Sequence, residues 1–176
     1  MKKINSLSLA GFIVLLSAFA WKTTTNWKIS DSYSIQFAGT DAEGIFKKMS
    51  GNVDFDASNL SAAKFSFTID VASINTGNGM KNKHAVSDKW FDAENFPTLV
   101  FKSKSFSKTA NGYTVSGSMT IHNITKEMTV PFTFNNNKVA AKFSVNRMDF
   151  KVGNMEGMSK KVSNEIKLDV SIPLNK

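Results

Sequence analysis

Apolar and polar residues alternate with a period of two over most of the chain after about residue 30, the mark of strands with one dry and one wet face. The clearest run sets Phe65, Phe67, Ile69 and Val71 against Lys64, Ser66, Thr68 and Asp70. The segment Val162 to Leu174 repeats it, with Ile166, Leu168, Val170 and Ile172 opposed to Glu165, Lys167, Asp169 and Ser171. Between them lie Val115/Met119/Ile121, Met128/Val130/Phe132/Phe134 and Val139/Phe143/Val145. Shorter stretches stand at Ile35/Phe37, Val53/Phe55 and Leu99/Phe101, so the pattern predicts about eight strands.

Turn-forming residues fall between these runs: Asn111-Gly112, Asn135-Asn136-Asn137, Asp56 to Ser61, and His122 to Thr125, where Asn123 best tolerates a left-handed backbone. Short connections make antiparallel neighbours, and the helices that parallel crossovers need are missing. Two connections are longer. Asn75 to Pro97 carries the one expected helix, with Ser87 as its cap and Val86, Trp90 and Phe91 on its apolar face; Gly153 to Lys161 is the other.

Strands with a single dry side bury it most simply by closing on themselves, which predicts an all-β, eight-stranded antiparallel up-and-down barrel with one short helix in a long loop. Two stacked sheets would satisfy the same alternation. A barrel of this size is either filled by side chains or holds one small ligand. Inward phenylalanines argue for filling, whereas Gly117, Ala141, Ser103 and Ser105 share the inward parity and leave space. The expected lining of a cavity is Phe37, Phe55, Phe67, Ile69, Phe101, Gly117, Met119, Ile121, Phe132, Phe134, Ala141, Phe143, Val145, Ile166 and Leu168, with Trp90 and Phe91 from the long loop. Such a lining would select an apolar chain by area burial. A solid core without ligand, in a stress or interaction protein, is the alternative.

At 176 residues, 41% hydrophobic, the chain suits one domain. Residues 1–20 have the form of a cleaved secretory signal: Lys2 and Lys3, an apolar run from Leu7 to Phe19, and Ala18-Phe19-Ala20. A retained anchor is the other reading, though the stretch is marginal for a bilayer that needs ~20 residues. The expectation is therefore a domain over 21–176 in the periplasm or secreted. With no cysteine, neither a disulfide nor a lipidated thiol is available.

The formal charge is +8, but the cations are scattered lysines and Arg147 is the sole arginine. Nucleic-acid readers rely on guanidinium forks, so nucleic acid is not an expected partner; weak attraction to an anionic membrane surface fits better. His84 and His122 are the only imidazoles, too few for a metal site of three or more ligands, and no metal or cofactor is expected. Asp54/Asp56 and Asp88/Asp92, the latter at i, i+4 on a helical turn, are expected to face water. A cysteine nucleophile, a Gly-x-Ser-x-Gly elbow and a phosphate-cradling loop are all missing, which argues against an enzyme. Arg147 at inward parity either pairs with Asp149 two residues on or meets a ligand head group. His84, near Lys81 and Lys83, either fixes its loop or sits at a cavity mouth and meets a phosphate. Trp27 and Trp90 are expected as plugs of the barrel ends.

Several stretches, in order, resemble the YceI-like family of lipocalin-like polyisoprenoid-binding proteins. They are Trp27 to Phe37, Gly51 to Asp56, Ser73-Ile74-Asn75-Thr76-Gly77 with His84 and Ser87, Trp90-Phe91-Asp92, Phe96-Pro97, Phe101-Lys102-Ser103, Gly117 to Lys126, and Asn146 to Phe150. The resemblance implies a lipocalin-like barrel with a hydrophobic central cavity, secreted or periplasmic, binding a long isoprenoid lipid and sometimes made under stress. The chain departs from the family pattern at Lys81-Asn82 and Ala85 around the loop histidine, at Asn123 in place of a turn glycine, and after Asp149-Phe150, where the common glycine is missing. Oligomeric state is left open, with a homodimer among the options.

Overall fold

A computed structural model of the protein describes residues 25–154 and 156–176. The expected signal segment lies outside these residues. The elements are β1 (Asn26–Ile29), β2 (Ser34–Gly39), β3 (Ala42–Phe46), β4 (Met49–Asp54), β5 (Lys64–Asp70), β6 (Ile74–Asn75), α1 (Gly79–Val86), β7 (Thr98–Thr109), β8 (Gly112–Ile121), β9 (Ile124–Asn135), β10 (Lys138–Asn146) and β11 (Glu165–Asn175). Eight of the strands close a ring in the order β1, β4, β5, β7, β8, β9, β10, β11 and back to β1, every pairing antiparallel. The eight-stranded barrel with one helix expected from the alternation is thus the observed architecture, rather than stacked sheets.

Closure is asymmetric. The C-terminal end of β11 pairs with β1 through Ile29↔Leu174, whereas its first half pairs with β2 from Lys167↔Ala38 to Ser171↔Ser34. Strand β2 carries β3, and β3 carries β6. This three-strand flap widens one end of the barrel. Its short strands β3 and β6, like β1, lack a long alternating run and escaped the sequence pattern.

Local chemistry explains the hairpins. His122 and Asn123 at φ 51° and 57°, and Asn136 and Asn137 at 51° and 54°, make two-residue turns whose left-handed backbone matches strand twist. Lys104 is an extra residue opposite β8, where the register steps from Ser103↔Gly117 to Ser105↔Ser116. This bulge reverses the parity of β7. Phe106 turns inward and Ser105 faces solvent, correcting the inward placement of Ser105. Ser103 Oγ accepts a hydrogen bond from Phe65 N–H at 2.9 Å rather than lining a void.

The helix begins earlier than expected. Asn78 caps it, its side chain accepting from Met80 and Lys81 N–H, and Ser87 closes its C-terminal end by donating from Oγ to His84 O at 2.7 Å. Asn competes well for such an N-cap because its carbonyl oxygen reaches the free N–H groups of the first turn. Asp88 and Asp92 therefore lie beyond the helix, Asp92 at φ 47° and bonded to Asn95 Nδ2. Strand β11 begins at Glu165, so Val162 belongs to the preceding loop.

Candidate functional site: an apolar cavity over an aromatic floor

The barrel interior divides along its axis. At the end closed by β1, Phe55 is fully buried and meets five rings, those of Phe65, Phe106, Tyr113, Phe132 and Phe134, at centroid distances of 5.9, 6.1, 5.1, 5.6 and 4.8 Å. Trp27 seals this end, donating from Nε1 to Phe55 O at 3.0 Å. Tilted and edge-on geometry of this kind favours ring quadrupoles, and the floor is a solid core. Above it, at the end widened by β2, β3 and β6, side chains do not meet across the axis and a cavity of about 410 Å³ opens. That lies within the size range of small-molecule sites, ~300–1,000 Å³.

The cavity wall is apolar: Ile35 and Phe37 from β2, Phe46 from β3, Ile69 from β5, Leu99 from β7, Met119 and Ile121 from β8, Phe143 and Val145 from β10, and Ile166, Leu168 and Val170 from β11. Ala85 on α1, then Trp90 and Phe91, cover it from the long loop. The cover is tied down. Phe91 N–H donates to Ala85 O, Ala93 N–H donates to Val86 O, and the ring of Phe91 stands edge-on to Phe46 at 6.2 Å. Asn82 Oδ1 accepts from both N–H and Oγ1 of Thr76, joining α1 to β6. Polar groups stand at the rim, on α1 and on loops: Asp41, Thr76, Lys81, His84, Ser159 and Lys161.

Arg147 also borders the cavity but does not stand on a strand. Strand β10 ends at Asn146, whose side chain caps a 3-10 turn over Arg147–Phe150, so the i+2 relation to Asp149 on one strand face does not exist. The residue is only 5% exposed. Its Nε donates to Ser163 O at 3.0 Å, Nη1 to Val152 O at 2.8 Å, and Nη2 to Ser159 O and Val162 O at 3.1 and 3.2 Å. Burial strips water from the charge and pushes its pKa down from the usual arginine value. A planar fork with five donors can satisfy several carbonyls at once, which is how one residue organises the loop 151–163 beside the mouth.

Of the expected lining residues, Phe37, Ile69, Trp90, Phe91, Met119, Ile121, Phe143, Val145, Ile166 and Leu168 border the cavity, together with His84 and Arg147. Phe55, Phe67, Phe101, Gly117, Phe132, Phe134 and Ala141 do not; they pack in or against the floor. Strand parity separates inside from outside but carries no height along the axis. The space at Gly117 is taken: a Cβ there would stand 2.4 Å from Lys102 O and 2.8 Å from the Phe101 ring. The wall residues Phe46, Ile74, Phe150 and Val152 went unrecognised, because each sits in a short strand or a turn where alternation cannot register. His122 lies elsewhere, edge-on to Phe96 at 4.4 Å. Among the described residues no three His, Asp or Glu side chains are grouped to hold a metal ion.

Comparison with known proteins agrees with this architecture. The chain is 30% identical to the UPF0312 protein plu2095 of Photorhabdus laumondii over 134 residues, covering 72% of this chain and 69% of that one. Other curated relatives are matched over 45–55% of their own length. Among solved structures, BcnA of Burkholderia cenocepacia superposes with a TM-score of 0.77 at 28% identity, covering 85% of this chain and all of that one. A polyisoprenoid-binding domain from Saccharophagus degradans shares the fold at 11% identity and a TM-score of 0.61, covering 85% of this chain and 97% of that one. A YceI-like domain matches residues 21–174, and the chain belongs to that family.

Proposed function

We propose that the protein is a non-enzymatic binder or carrier of an isoprenoid or similar amphiphilic lipid, whose apolar chain occupies the cavity. The observation that carries this reading is the contrast between the two halves of one barrel. The lower half is packed ring against ring, so the same sequence that fills a core leaves about 410 Å³ of apolar-walled space above it. An unfilled apolar space is costly unless something apolar enters, because its lining lacks contact partners. Transfer of a hydrocarbon chain from water into that wall is favourable by ~25 cal/mol per Å² buried. Polar side chains at the rim leave a head group in water.

The placement outside the cytoplasm rests on residues 1–20, read as a cleaved signal. Organic extraction of the protein purified from its native compartment, followed by mass spectrometry, tests the reading. A carrier brings down about one lipid per chain; a protein that releases none, and takes up none when offered farnesol, is not a carrier.

A further inference from the structure

Strands β9 and β10 leave their hairpin as a ladder and then part. Pairing runs from Asn135↔Lys138 to Phe132↔Ala141 and stops, although β9 continues along β8 to Ile124 and β10 continues along β11 to Asn146. Pro131 marks the stop. The carbonyl of Phe132 points to β8, where a Cβ on Gly112 would lie 2.6 Å from it, so the preceding residue, Pro131, faces β10. Proline has no N–H, and the bond that Lys142 would accept cannot form.

Beyond Pro131 the wall therefore has a seam, edged by two strands whose facing backbone groups need water or a ligand. Phe143 and Val145 on one side of the seam, and Met119, one strand behind the other side, border the cavity. Register places Lys126 opposite Met119, on the sheet face turned to the barrel interior, yet Lys126 is exposed. None of the ion pairs among the described residues involves it, and its neighbour Glu127 is engaged with Lys104 Nζ at 2.8 Å. A lysine at an inner-face position between Ile124 and Met128 breaks the alternation of its own strand.

We propose that this seam is a lateral opening of the cavity and that Lys126 recognises the anionic head group, a phosphate ester or carboxylate, of an amphiphile whose chain lies inside. This deepens the lipid-binding reading and rests on it. At the rim over α1, Asp41 offsets part of the charge of Lys81 and Lys161.

The test compares farnesyl phosphate with farnesol on the full protein and on Lys126→Met, Lys126→Arg and the rim variant Lys81→Met/Lys161→Met. Loss of one charge-assisted contact is expected to weaken farnesyl phosphate about tenfold in Lys126→Met while farnesol binds unchanged, and Lys126→Arg restores the affinity. Equal affinity of Lys126→Met and the parent protein for farnesyl phosphate, or a loss confined to the rim variant, overturns the lateral site and leaves lipid binding standing. Failure of the parent protein to bind either compound overturns both.

Discussion

The indole of Trp90 lies over the guanidinium of Arg147, its centroid 5.2 Å from Cζ. The contact joins two loops far apart in sequence, the one that follows α1 and the one that the guanidinium organises through backbone carbonyls. Gly153 completes the arrangement at φ 72°, where a Cβ would stand 2.8 Å from both Arg147 Nη1 and the indole. The mouth of the cavity is thus held by one buried cation that spends its donors on the chain itself. Its donors position the loop.

Arg147→Lys keeps the charge and loses the fork. Carbonyls of Val152, Ser159, Val162 and Ser163 then compete for a single ammonium, and buried acceptors left without donors are expensive. Urea denaturation should show a loss of about 2–4 kcal/mol, with early proteolysis between residues 151 and 163.

Leu168→Trp tests the cavity directly. Leu168 pairs with Phe37 and Phe143 across the wall that surrounds the open space, so a larger ring has room to enter. Lipid recovered on extraction should fall several-fold while the urea midpoint moves by less than the ~1–3 kcal/mol that overpacking costs in a filled core.

Gly117→Ala should behave in the opposite way. The added methyl meets Lys102 O and the Phe101 ring within the floor, and backbone on the neighbouring strand has nowhere to go. A destabilisation of about 1–3 kcal/mol is expected, with lipid content per folded molecule unchanged. A drop in lipid content without loss of stability would place Gly117 on the cavity instead.

Asn78→Ala removes the cap of α1. The helix buries none of its own residues, so its order depends heavily on the cap and on the Asn82–Thr76 bonds. Loss of about 1 kcal/mol is expected locally. Hydrogen exchange at the amides of residues 80–86 should quicken while the global unfolding midpoint stays in place.

The architecture was legible because alternation reports burial directly: Phe65, Phe67 and Ile69 read as one dry face from the sequence, and the same face lines the barrel. The height of a residue along the axis is not legible in parity, which is why Phe55 and Phe132, which build the packed floor, share one expected lining with Ile121 and Val145, which border the cavity above it. Interruptions of period were equally silent. The bulge at Lys104 turns Ser105 outward, and the turn at Arg147–Phe150 removes Arg147 from strand parity; neither has a glycine or proline to announce it. The separation of β9 and β10 beyond Pro131 is a property of pairing rather than of either strand, so it was not legible at all.

The junction of β11 with both β1 and β2 governs how the molecule assembles. Lys28 faces Asn175 and Ile29 faces Leu174, so the tube is completed by segments from opposite ends of the folded sequence. Contacts of such long range carry a larger loop-closure cost than the local hairpins from β7 to β10. Until the junction closes, Trp27 and Phe55 lie on an open, sticky rim. A chain in which that junction is open is a half-pipe with two unpaired edges, the geometry that invites pairing with another chain.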